Sequence, residues 1–271
     1  MTVAGTVCHV TRTTLTDDVL LKMSDSAKIE FAVQMTCQKC VDEIKKNLNN
    51  VKGIQSLEIN LEKEQVIVET SLPSEEVKQL LEQSGKRAVI MGYGSGSVSQ
   101  HLGAAVAMIE GPVSVKGVTR LVQIDENKCV IDGTLDGLTP GKNQLSIHEL
   151  GDISLGCESC GKIYNPPNSS DKKPIGDLGQ VLADETGRAV FRMESDKIKV
   201  WDVIGRSMII AGAKASVLSR MGCGIIARSA GLFQNSKKIC ACDGVVLWDE
   251  RDVPIAGAER STKAAHRIGE N

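Results

Sequence analysis

The sequence predicts a multidomain fold, α+β in its first part and all-β in its second. A small βαββαβ sandwich covers 28–91, a Greek-key β-sandwich or barrel covers 101–230, and a short C-terminal segment covers 231–271. Three observations carry that reading. The chain has 271 residues, more than one compact core usually occupies. Apolar residues switch between strand and helix spacing up to residue 91, then keep strand spacing alone from 101 to 230. Twenty-six glycines against seven prolines supply the tight turns an all-β portion needs.

Residues 1–27 read as an N-terminal extension without fixed structure. Met23-Ser24-Asp25-Ser26 looks like a start placed before the first strand, which makes 1–22 an optional upstream piece. Lys28 to Gln34 alternates, with Ile29, Phe31 and Val33 on one face, and Val41, Ile44, Leu48 and Val51 then fall at helical spacing. Leu57, Ile59 and Leu61 alternate again, as do Val66, Val68 and Thr70. Pro73-Ser74-Glu75-Glu76 opens a second helix, with Ser74 as its cap, acids in its first turn and Val77, Leu80 and Leu81 on its apolar side. Arg87 to Met91 closes the unit.

Gly92-Tyr93-Gly94-Ser95-Gly96-Ser97 has the composition of a flexible linker, assigned to 92–100. The following strands are Val115–Gln123, Cys129–Leu135, Gln144–His148, Ala189–Glu194 and Ser207–Ile210. Asp132-Gly133, Asp136-Gly137 and Asp184-Glu185-Thr186-Gly187 serve as turn signals among them. After Gly231 the pattern fades and little fixed structure is expected.

Aromatic residues are 3% of the chain against 41% hydrophobic, so the cores rest on Val, Ile, Leu, Ala and Met. Thirty-two basic and 34 acidic residues give a net charge of -2, without the basic surface that nucleic acid or an anionic membrane requires. No apolar run reaches the ~18–20 residues of a membrane span, and the start lacks the apolar core of a secretory signal. A cytoplasmic location is expected.

Nine cysteines then need a reason, and six of them form close pairs: Cys37/Cys40, Cys157/Cys160 and Cys240/Cys242. Without an export signal, such pairs point to metal or redox chemistry before a disulfide scaffold. Met35-Thr36-Cys37-Gln38-Lys39-Cys40 lies where the first strand turns into the first helix. A helix N-terminus stabilises a thiolate, and two soft thiolates on an open loop suit Cu(I), with Met35 adding soft character. A structural zinc site would want four ligands. A thioredoxin-type redox pair is the alternative; no aromatic precedes Cys37 and no proline lies between the cysteines.

This MxCxxC string within a βαββαβ pattern resembles the heavy-metal-associated domain over 28–91. The resemblance implies copper at Cys37 and Cys40, with Lys86 near the site to offset the charge of the dithiolate complex. Residues 101–230 resemble Cu/Zn superoxide dismutase. The resemblance rests on Gly133-Thr134-Leu135-Asp136-Gly137-Leu138, His148-Glu149-Leu150-Gly151-Asp152, Gly176-Asp177-Leu178-Gly179, Ile204-Gly205-Arg206-Ser207 and Ser219-Arg220-Met221-Gly222-Cys223-Gly224. It implies a Cys157–Cys223 disulfide and a dimer surface at Leu150, Gly151, Ile204, Gly205 and Ile226.

The departures matter as much. Ser146 replaces the first histidine of a His-x-His, Ile163 stands at the bridging histidine, and Pro174 stands three residues before Asp177 where the family has another. The chain holds four histidines in all, so neither a redox copper site nor a closed zinc site is expected in this domain.

Cys240-Ala241-Cys242 follows in the C-terminal segment; near-neighbour thiols like these form an easily exchanged disulfide or hold copper transiently. The order of MxCxxC domain, dismutase-like domain and CxC resembles the copper chaperones for superoxide dismutase. That resemblance implies a metallochaperone, not an enzyme. It would bind Cu(I) at Cys37/Cys40, dock a dismutase as a heterodimer through a surface that also allows a homodimer, and pass copper and a disulfide through Cys240 and Cys242. The rivals are a thiol–disulfide oxidoreductase, a Cu(I) buffer without a specific target, and a dismutase with a fused copper donor.

Overall fold

The computed structural model describes residues 26–95, 102–112, 114–167, 169, 172–212, 219–235 and 247–248. Four strands and two helices make the first domain: β1 (Ala27–Val33), α1 (Gln38–Leu48), β2 (Ile54–Asn60), β3 (Gln65–Thr70), α2 (Ser74–Glu82) and β4 (Ala88–Ser95). Its antiparallel sheet runs β2-β3-β1-β4. Register sets Ile29 opposite Val68 and Phe31 opposite Val66, so strand alternation aims one apolar row at the helices. Cys40, Val41, Ile44 and Leu48 of α1 and Val77 and Leu81 of α2 close over that row.

The second domain holds β5 (Ala104–Glu110), β6 (Lys116–Gln123), β7 (Cys129–Asp136), β8 (Gly141–His148), β9 (Ser154–Cys157), β10 (Asp177–Ala183), β11 (Ala189–Ser195), α3 (Val200–Val203), β12 (Ser207–Gly212) and β13 (Ser219–Arg228). Eight of these strands form one antiparallel sheet, β10-β8-β12-β13-β5-β6-β7-β11, curled so that edge strands β10 and β11 lie close without pairing. The barrel is filled by aliphatic side chains, among them Leu121, Ile131, Leu135, Leu145, Ile147, Met208, Ile210 and Ile226. Among the described residues no helix is long and apolar enough to cross a membrane.

Several sequence expectations change: Asp132-Gly133, read as a turn signal, lies inside β7, and three others follow. The linker read over 92–100 begins too early, because Gly92 to Ser95 belong to β4 and pair with Glu30, Ile29, Lys28 and Ala27 of β1. Those glycines serve close approach: a Cβ on Gly92 would sit 2.5 Å from the Gly231 carbonyl oxygen, and one on Gly94 would sit 2.8 Å from Leu232. For the same reason the chain beyond Gly231 does not trail away at once, since Gly231 and Leu232 lie against β4 and Phe233 bonds to Glu30 of β1. Finally, Ser74 is not the cap of α2. Pro73 holds that position without a side-chain bond, and both the amide and the hydroxyl of Ser74 donate to the Asp132 carboxylate of β7.

Asp132 thus caps α2 from the other domain, supplying the anion its N-terminus favours. Around it Arg192 donates to the Tyr93 hydroxyl at 3.2 Å, and Arg188 bridges Glu75 and Asp136, each at 3.1 Å. Tyr93 packs in one apolar cluster with Ala104, Val122, Ile124 and Val130. The two domains share a continuous, mixed apolar and charged junction.

Candidate metal centre

Cys37 is the N-cap of α1, with an extended backbone that lifts it clear of β1, and its side chain is exposed. Cys40 sits in the first turn of α1, its amide bonded to the Cys37 carbonyl at 3.0 Å. The two sulfurs are 3.5 Å apart. With a metal–sulfur bond of about 2.3 Å, two sulfurs on opposite sides of one ion stand about 4.6 Å apart. A small outward turn of the exposed Cys37 side chain therefore suffices to bind.

The Cys40 thiol is lowered from 9.0 to about 6, first by a backbone hydrogen bond at Thr36 and then by the Cys37 thiol; burial opposes both. The Thr36 hydroxyl lies 3.8 Å from the Cys40 sulfur. Thr36 escaped the sequence reading, although it stands inside the MxCxxC string. Among the described residues no group of three or more His, Cys, Asp or Glu side chains converges for a metal. The candidate centre is a two-thiol pair with Cys37 exposed and Cys40 buried.

Met35, expected near the site, packs beneath it. It is 3% exposed and packs in the core, anchoring the loop from beneath. Lys86 precedes Arg87, whose carbonyl accepts the Gln34 amide at 3.0 Å, so the segment leading into β4 meets the end of β1. Cys240 and Cys242 lie outside the described residues.

The dismutase-like positions in the barrel are filled by the protein itself. His148 has its Nε2 3.0 Å from the Ser146 hydroxyl and its Nδ1 2.9 Å from the Gly161 carbonyl, and burial pushes its pKa down. Asp177 accepts from Gln144 and pairs with Lys173 at 3.1 Å. Among the described residues Asp177 belongs to no group of three or more His, Cys, Asp or Glu side chains that could hold a metal, and a structural zinc wants four ligands. Arg220 donates to the carbonyls of Cys157, Glu158 and Gly161, tying down the 150s loop.

Cys157 and Cys223 form a disulfide with Cα atoms 5.5 Å apart, closing a separation of 66 residues. Removing it with Cys157→Ala/Cys223→Ala is expected to cost about 4 kcal/mol, read as a lowered thermal midpoint. A midpoint unchanged in the double variant would show that the bond contributes nothing. Cys160 is free and buried against it.

The 150s loop, the turn after α3 and β13 meet at one surface. A Cβ on Gly151 would fall 2.1 Å from the Gly205 carbonyl oxygen and 3.6 Å from Ile225, and the Ser207 hydroxyl holds the Leu150 carbonyl at 2.7 Å. Leu150, Ile153, Leu155 and Ile225 are exposed here. Ile226, expected at this surface, is fully buried in the barrel core. Alternation along β13 turns Ile226 inward and its neighbour Ile225 outward, so Ile225 is the surface residue.

The sequence profile of the heavy-metal-associated domain matches residues 30–87, and that of copper/zinc superoxide dismutase matches 115–226. The copper chaperone for superoxide dismutase of Homo sapiens is 51% identical over 256 residues, covering 87% of this chain and 93% of the relative. The counterpart in Mus musculus is 48% identical over 87% of this chain and 93% of its own. The superoxide dismutase 1 copper chaperone of Saccharomyces cerevisiae is 34% identical over 86% of this chain and 97% of its own.

Proposed function

Because this chain belongs to the copper chaperones for superoxide dismutase, we propose that it carries copper as Cu(I) on Cys37 and Cys40 and hands it to a Cu/Zn superoxide dismutase docked on its own barrel. The observation that carries this reading is the open thiol pair, with sulfurs 3.5 Å apart and one thiol brought down to about 6. Such a centre binds a soft cation and leaves room for an incoming thiolate, so copper passes by ligand exchange without a free ion. The surface formed by Leu150, Gly151, Ile204, Gly205 and Ile225 supports docking, since an isologous patch of a dimeric fold can accept a related subunit or a second copy.

Cys240 and Cys242 complete the cycle. Their disulfide is attacked by a thiolate of the target, and the target's second thiolate resolves the mixed disulfide. The target gains its disulfide while Cys240 and Cys242 are reduced to thiols, taking up the released protons. The barrel holds no copper or zinc of its own, and the chain does not dismutate superoxide. Its location is cytoplasmic.

The test is to mix the Cu(I)-loaded chain with copper-free, disulfide-reduced dismutase and follow dismutase activity. Activity should appear with the intact chain and fall at least tenfold with Leu150→Arg, a charge placed at the exposed docking surface, or with Cys240→Ser/Cys242→Ser. Equal activation by Leu150→Arg would reduce the chain to a copper buffer. Dismutation by the loaded chain alone would sink the reading.

A further inference from the structure

The face of the first sheet opposite its helices carries a carboxylate where water would be expected. Ile29, Phe31 and Val33 point at α1 and α2, so Lys28, Glu30 and Ala32 point away from them. Glu30 is nonetheless 4% exposed. Its Oε1 accepts the Gln65 side-chain amide of β3 at 2.6 Å, and its Oε2 accepts the backbone N–H of Phe233 at 2.6 Å. The second donor lies 203 positions along the chain, beyond the last strand of the barrel.

The surroundings of Glu30 are shaped for that visitor. The Gly92 and Gly94 positions of β4 leave the space that the Gly231 backbone and the Leu232 side chain fill. The visiting turn is closed on itself, with the Gly231 amide donating to the Gln234 side chain at 2.9 Å. Upstream, the Ser229 amide donates to the Ala104 carbonyl at 3.0 Å, fixing the point where the chain leaves the barrel. A second grip lies at the opening of β4, where the Arg87 guanidinium donates to the Trp248 carbonyl at 2.6 Å and Leu247 is 9% exposed.

We infer that the open face of the β1–β4 pair is a docking surface for the chain's own C-terminal segment, with Glu30 as its latch and Gly92 and Gly94 as its seat. The strap ties the end of β13 to the first domain. The chain is then held to the first domain at Phe233 and again at Trp248. The latch is reversible in kind. When the segment lifts, Glu30 regains water and no unpaired charge stays buried, so release does not demand unfolding.

The contact involves neither copper nor a partner, and its test is independent of delivery. In the full-length, metal-free chain, amide hydrogen exchange at Phe233 should be slow. Glu30→Ala, which removes the acceptor, and Gly92→Val, which fills the seat, should each speed it about tenfold or more, the effect of losing one hydrogen bond to a charged group. Exchange at Val66 and Val68 of β3 should stay as slow as in the unaltered chain. If Gly92→Val also loosened β3, Glu30→Ala alone would decide. An unprotected Phe233 amide in the unaltered chain, or equal rates in Glu30→Ala, would overturn the inference.

Discussion

Cys37→Ser is expected to weaken Cu(I) binding at the first domain by a factor between about 10² and 10⁴, the range lost when one of two linked binding groups is removed. A competition titration against a Cu(I) chelator reads this, in a Cys240→Ser/Cys242→Ser background so that the second thiol pair does not contribute. The companion measurement is the pH profile of Cys40 alkylation by iodoacetamide in the metal-free chain. The thiol is lowered from 9.0 to about 6 in the folded protein. The thiolate therefore predominates at neutral pH and is lost as pH falls through about 6, so alkylation should be half-maximal near there. A midpoint near 9 would show that the helix N-terminus and the Thr36 contacts do not activate the sulfur.

Asp132→Ala is expected to destabilise the protein by about 3 kcal/mol, combining a lost N-cap with a lost hydrogen bond to a buried charge. Asp132 is 1% exposed, and burial raises its pKa against the pull of the Ser74 bonds and of Arg120 and Arg192. Burial likewise lowers the pKa of Arg120, and the alanine variant also removes the charge that most strongly offsets this. Urea unfolding would read the change as a lower midpoint. Asp132→Asn, which keeps an acceptor for Ser74, should lose less. An unmoved midpoint in the alanine variant would mean that the junction carries no stability.

The parts legible in the sequence were those with a local period or a local motif. Ile29, Phe31 and Val33 announce a half-buried strand, and Cys37 and Cys40 announce a thiol site, because both signals fit within one or two turns of chain. What escaped depends on partners far away. Gly92 and Gly94 read as flexibility, since composition alone cannot separate freedom from close approach; Gly231 and Leu232 supply the reason. Ser74 looked like a cap because its own neighbours suit one, while the real acceptor, Asp132, lies 58 positions away. Ile226 was set at the surface by similarity to a dimer patch. Alternation along β13 decides between it and Ile225, and a bulge near Ile210 and Ala211 obscures that parity in sequence. Met35 was placed near the site by its soft chemistry, and its packing sets it in the core.

The position of the thiols also has a mechanical meaning. β1 is anchored near the barrel at Ala27, opposite Ser95, whose hydroxyl donates to the Ile124 carbonyl, while Cys37 lies past its other end. Seven residues of strand at about 3.3 Å each make an arm of roughly 20 Å. A tilt of about ten degrees at the base would sweep the tip through roughly 3.5 Å, comparable to the separation of the two sulfurs. Any tilt at the junction held by Asp132 and Arg192 would therefore be magnified at the tip where Cys37 stands.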